Sequence, residues 1–97
     1  MFEKLKQIKD YRSQAKKIQS ALKEESVEGS GAWGKVKISM DGNQNVDEVK
    51  IDPEMLSPNR QNDLRKAVQE AVNDAIKKAQ HKMAKKVKDM GGLPNLG

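Results

Sequence analysis

The chemistry available to this chain is mostly cationic: sixteen lysines and three arginines, with one histidine and no cysteine. The bases gather at the two ends. Lys4, Lys6, Lys9, Arg12, Lys16 and Lys17 lie in the first segment, and Lys77, Lys78, Lys82, Lys85, Lys86 and Lys88 near the close. An ammonium group serves well as a point charge on a phosphate, whereas the forked contact to guanine belongs mainly to Arg. A surface dominated by Lys therefore predicts affinity for a polyanion with little base readout, and nucleic acid is the commonest such partner. The plainer reading of the same residues is a set of solvated helix faces that keep the protein soluble.

Other chemistries find no support. His81 is the sole histidine, and without cysteine it cannot assemble the three or four donors of a metal site. Ser13, Ser20, Ser26, Ser30, Ser39 and Ser57 are the only aliphatic hydroxyls, and none has a visible histidine partner, so no enzyme, cofactor or small-molecule substrate is expected. Gly29-Ser30-Gly31-Ala32-Trp33-Gly34 matches the spacing G-x-G-x-x-G. It leads into alternating strand residues rather than opening a helix, so it lacks the dipole that would receive a pyrophosphate. Asp41, Asn43, Asn45 and Asp52 fall at positions 1, 3, 5 and 12 of a calcium loop, but Val46 stands where that loop needs glycine. A polar hairpin turn explains them better. Trp33 could stack on a base, although such a residue more often anchors a small core or a subunit interface. No run of adjacent apolar residues exceeds two, which argues against a membrane span or a signal-peptide core.

The elements that would position these groups follow from periodicity. Ile8, Tyr11, Ala15, Ile18 and Leu22 form a helical seam, extended upstream by Phe2 and Leu5, over a basic helix at 1–24. Between 25 and 52 the pattern changes to an antiparallel meander. Val36, Ile38 and Met40 alternate with Lys35, Lys37 and Ser39, a second strand carries Val46, Val49 and Ile51, and a weaker strand near 26–30 is anchored by Val27. Asp41-Gly42 signals the turn between the two stronger strands, with Asn43, Gln44 and Asn45 extending it. Asp52-Pro53 and Ser57-Pro58 each read as a cap followed by proline at the first helical position. A long helix then occupies 58–90, with Leu64, Val68, Ala71, Ala75, Ala79, Met83 and Val87 at helical spacing and a basic second half, before Gly91-Gly92 stops it.

Charge follows the same division. Residues 1–24 hold seven bases and three acids, 25–63 four bases and eight acids, and 64–97 eight bases and three acids, so two basic ends flank an acidic middle. The expected class is α+β in a single domain over 1–97: an N-terminal helix, a three-stranded antiparallel meander and a long C-terminal helix. A small sheet cannot bury the stripes of two helices longer than itself, and apolar residues make up only 35% of the chain. A homodimer is expected to complete the core.

The residues in this order resemble the YbaB/EbfC family of bacterial nucleoid-associated proteins. Val27, Gly29, Gly31, Gly34, Val36 and Ile38 match its glycine-rich meander, Ile51-Asp52-Pro53 with Leu56 its turn, and Leu64 with Ala71-Val72-Asn73-Asp74-Ala75 its long helix. Gly92-Leu93-Pro94 is similar to its tail. Trp33 and Lys35 replace the small or aliphatic residues expected at the meander's last glycine, and the helix ends are richer in lysine than in many members. The resemblance implies a homodimer with a central sheet body and projecting helical arms. It also implies binding to double-stranded DNA in the cytoplasm and nucleoid, organisation of that DNA, and effects on transcription. It assigns contact to the first and last helices, hence to the twelve bases named at the outset, and reads Gly29, Gly34, Asp52, Pro53, Asn73 and Asp74 as structural. The competing reading is a protein-interaction adaptor that clasps a partner with the apolar seams of its projecting helices. A basic helix lying on an anionic membrane ranks lowest, because the long helix offers Ala where a membrane-seeking face wants larger apolar groups.

Overall fold

The computed structural model describes residues 2–91, with side chains from residue 12 onward. Helix α1 (Phe2–Lys23) leads into strands β1 (Ser26–Gly31), β2 (Val36–Asp41) and β3 (Val46–Ile51). Two short 3-10 turns, Pro53–Leu56 and Pro58–Arg60, then deliver the chain to helix α2 (Gln61–Asp89). The strands form one antiparallel sheet in the order β1-β2-β3. Helix, three-stranded antiparallel meander and long helix are thus the α+β arrangement expected from the sequence.

Alternation decides which face of the sheet is buried. Register pairs Val27 with Met40, Gly29 with Ile38 and Gly31 with Val36, and on the other side Val36 with Ile51 and Ile38 with Val49. These residues therefore share one face. Helix α2 lies on that face over β1 and β2. Its contact ridge is Ala67, Ala71, Ala75 and Ala79, one residue per turn and all buried, packed with Val27, Val36, Ile38, Met40 and Met55. Small side chains on the helix bring its backbone close to the strand. A Cβ on Gly29 would strike Ala71 O and Ala75 N, and one on Gly31 would strike Ala67 O. Gly29 and Gly31 of the G-x-G-x-x-G string thus allow helix-to-strand approach, while Gly34 takes a positive φ (88°) at the bend.

That approach also seals the outer edge of β1. Ala32 N–H donates to Glu70 Oε2 (3.4 Å), Ser30 N–H donates to Asp74 Oδ2 (3.1 Å), and Lys78 Nζ donates to Glu28 O (2.8 Å). Glu70, Asp74 and Lys78 rise about 6 Å per step along the helix, close to the roughly 6.8 Å between alternate residues of a strand. One row of side chains can therefore serve successive edge groups.

The turns follow local chemistry. Asp41 is buried, and its carboxylate accepts from Asn43 N–H (2.8 Å), Asn45 N–H (3.0 Å) and Asn45 Nδ2 (3.1 Å). Burial pushes this carboxyl up, but the donors from Asn45 and Asn43 outweigh it and hold it below its usual range. The resemblance to a calcium loop is accounted for by this turn. Asp52 Oδ1 accepts from Glu54 N–H (2.9 Å), the expected cap. Ser57 differs from expectation: its hydroxyl donates to Asn59 Oδ1 (2.6 Å) rather than capping, the Arg60 N–H donates to Ser57 O (2.9 Å) to close a 3-10 turn over 58–60, and α2 begins at Gln61.

Of two sequence-based expectations about apolar residues, one needs adjustment. Trp33 anchors no core within the chain. It sits on a left-handed backbone (φ 59°) between Ala32 and Gly34 and is fully exposed. Of the α1 seam, Ile18 and Leu22 are buried and Ala15 is half-buried, while the side chains of Phe2, Leu5, Ile8 and Tyr11 lie outside the described residues. Leu22 docks on Gly42, whose N–H donates to Leu22 O (2.9 Å). The molecule is long, 64 × 22 × 19 Å with a radius of gyration of 18.4 Å. About 13 Å is usual for a compact domain of this length.

Candidate nucleic-acid interface

The basic residues of α2 fall into two rows because 3.6 residues per turn places i and i+4 nearly above one another. Lys78, Lys82 and Lys86 form the row beside β1. Lys77, His81, Lys85 and Lys88 form the neighbouring outer row, and all four are exposed, although His81 and Lys85 also line a concavity with Val27 and Glu28 of β1.

The inner row is engaged. Lys78 Nζ lies 3.2 Å from Asp74 Oδ2, in addition to its bond to Glu28 O. Lys86 Nζ lies 3.0 Å from Glu25 Oε1, and Lys82 Nζ 3.7 Å from Glu25 Oε2. Two carboxyls respond to these cations. Glu25 is held below the usual carboxylate range first by the hydrogen bond from Lys86 and then by its charge, with Lys82 adding to both. Asp74 is lowered first by the Ser30 N–H and then by Lys78. In the outer row, Lys77, Lys85 and Lys88 make no ion pair among the described residues. Their ammonium groups are available to an external anion without displacing an internal one.

On α1, Arg12, Lys16 and Lys17 are exposed and make no ion pair among the described residues. The side chains of Lys4, Lys6 and Lys9 lie outside the described residues. Contact between α1 and α2 is slight, and no described ion pair or hydrogen bond joins the basic residues of α1 to those of α2. The structure thus gathers the last-helix candidates along one helix but does not merge them with the first-helix group.

Acids of the middle segment are largely spoken for by neighbours. Glu54 faces both Lys35 (3.3 Å) and Arg60 (3.7 Å), Arg60 also reaches Asp63 (3.7 Å), and Glu28 reaches Lys37 (3.9 Å). Among the described residues no group of three or more His, Cys, Asp or Glu could hold a metal ion, and no helix is long and apolar enough to cross a membrane.

The division between engaged and free lysines was only partly visible in sequence. Asp74–Lys78 is an ordinary i,i+4 pair, and Lys77–His81–Lys85 repeats at the same interval. Glu25 carried no such signal, since its pairing with Lys82 and Lys86 depends on how α2 crosses β1.

Comparison with known proteins adds an independent line. The model of the YbaB/EbfC DNA-binding family matches residues 1–93. A nucleoid-associated protein of Dictyoglomus thermophilum is 37% identical over 94 residues, covering 96% of this chain and 90% of its own length. One from Rhodopseudomonas palustris is 37% identical over 97 residues, covering 96% and 92%. Among solved structures, an uncharacterised protein from Helicobacter pylori shares the fold, with a TM-score of 0.73 at 16% identity over 88% of this chain and 89% of that one.

Proposed function

Because the chain belongs to the YbaB/EbfC DNA-binding family, we propose that it is a nucleoid-associated protein that grips double-stranded DNA through phosphates, using the outer lysine row of α2. The observation that carries this reading is the exposure of Lys77, Lys85 and Lys88, with no ion pair among the described residues, beside an inner row that is already paired. Arg12, Lys16 and Lys17 on α1 supply a second cationic surface, and Lys4, Lys6 and Lys9 extend the proposal along the same helix. Binding of this kind organises DNA with little regard to sequence, and effects on transcription follow from occupancy of the duplex.

A homodimer belongs to the same reading. Helix α2 leaves β3 almost uncovered: on the buried face of the sheet Val49 is 52% exposed, and Val46, paired with Met40 across a bulge, is 53% exposed. Leu64, Val68, Val72 and Ile76, half-buried, lie a quarter turn from the alanine ridge, on the flank opposite Glu70, Asp74 and Lys78. An apolar surface therefore runs from the flank of α2 to β3, and a second copy would cover it. The adaptor alternative draws less support, because Ile18 and Leu22 of the α1 seam are already buried.

The test is a salt series on a fluorescent duplex and an unrelated duplex of equal length. Replacing Lys77, Lys85 and Lys88 together with Gln should weaken binding to both alike. The slope of log K against log salt should fall by about 0.9 for each phosphate no longer neutralised. A weakening confined to one duplex, or an unchanged slope, would overturn the phosphate mechanism.

A further inference from the structure

Glu25 stands between the end of α1 and the start of β1, with its N–H donating to Leu22 O (3.1 Å). Its two carboxylate oxygens are divided between two lysines one turn apart on α2, Oε1 to Lys86 and Oε2 to Lys82. The three side chains are sheltered unequally: 27% of Glu25 is exposed, 29% of Lys86 and 45% of Lys82. Lys85 and Asp89 complete a shallow concavity of about 160 Å³ around them. A phosphodiester offers the same recognition elements as this carboxylate, two accepting oxygens sharing one negative charge. Cations arranged for one can therefore receive the other.

We propose that Lys82 and Lys86 form a phosphate seat that Glu25 occupies in the free protein, with Lys85 at its rim, so that DNA must displace an internal competitor to engage the inner row. The inference rests on the phosphate-gripping reading above and adds a limit to it. Outer-row contacts form without displacing a carboxylate, whereas inner-row contacts exchange one anion for another and leave Glu25 close to the duplex. The acidic residue then tempers binding locally, at one position, rather than through the charge of the whole middle segment.

The experiment compares the full-length protein with Glu25→Gln, with Lys82→Gln/Lys86→Gln, and with the three changes combined, on a fluorescent duplex across a salt series. Glu25→Gln keeps size and an accepting oxygen but removes the charge. It should bind about three- to tenfold tighter at low salt, with a salt slope steeper by up to about one. That gain should vanish in the Lys82→Gln/Lys86→Gln background. Glu25→Gln binding no better than the parent protein overturns the proposal, as does a gain that persists without the two lysines. Failure of the parent protein to bind any duplex overturns the phosphate-gripping reading itself, and is distinguished by the parent curve alone.

A second measurement needs no variant. Carbon-13 NMR of the Glu25 carboxyl should show it titrating below the usual range in the free protein and returning upward when saturating duplex is added. An unchanged titration in the complex would mean that Glu25 is not displaced, and the seat would be rejected.

Discussion

At the β1 edge, α2 sets Glu70, Asp74 and Lys78 against the outward N–H and C=O groups of Ala32, Ser30 and Glu28, whereas β3 is almost uncovered and leaves Val46 and Val49 half exposed. The two sides of one small sheet are thus finished to different degrees. An open strand edge is a template for pairing with another chain, and charged side chains are a common means of closing it. Here closure is confined to β1. In the proposed dimer, association would fall to β3 and the apolar flank of α2, and the long helix would serve both roles with opposite sides.

The largest effect is expected where the closed side depends on close backbone approach. Gly29→Val places a branched side chain where Ala71 O and Ala75 N already stand, and Gly31→Val does the same against Ala67 O. Backbone atoms cannot swing aside as a side chain tip can, so α2 must lift from β1. We expect each variant to lose about 3 kcal/mol of stability or more, read by urea unfolding. A wild-type midpoint for either would show that α2 does not rest on β1 as described.

The open side should respond differently. Val49→Lys alters a half-exposed residue that α2 does not cover, so the isolated chain should keep its secondary structure while association suffers. In sedimentation the parent protein should run as a dimer at micromolar concentration. The variant should need about tenfold more protein or beyond to do so, as expected for a charge set into the middle of an interface. DNA binding should weaken with it, because two arms joined in one particle raise each other's effective concentration. A variant that sediments as the parent does would place the joint elsewhere.

Much of this asymmetry is legible in the sequence, and the physical reason is periodicity. The alternation of Val36, Ile38 and Met40 specifies a strand with one buried face, and the recurrence of Ala71, Ala75 and Ala79 specifies a helix that can pack closely. Asp52-Pro53 announces its turn, because a cap and its N–H donor are two residues apart. What cannot be read are contacts that depend on how one element crosses another. Nothing local distinguishes Lys82 and Lys86, paired with Glu25, from Lys85 and Lys88, which make no ion pair among the described residues. Trp33 illustrates the same limit from the other direction. Its type suggests burial, yet a left-handed backbone at the far end of β1 turns it into solvent.

The smallest effect separates the charge in the closed edge from its shape. Asp74→Asn keeps an oxygen that can accept from Ser30 N–H but gives up the ion pair with Lys78. Asp74 is depressed in the folded chain, first by the Ser30 donor and then by Lys78, so its ionised form is favoured by folding. Stability from this group is present above the unfolded carboxyl value of about 3.9 and is lost as pH falls through the lower folded value. The parent protein should therefore melt a few degrees above Asp74→Asn at neutral pH. The two curves should begin to converge as pH drops below about 4 and meet only below the lower folded value, where the parent's carboxyl is neutral in the folded chain as well. Because Asp74 faces away from the apolar flank of α2, the variant should sediment as a dimer like the parent. A constant gap in melting temperature down to acid pH would mean that the Asp74 oxygen, and not its charge, closes the β1 edge.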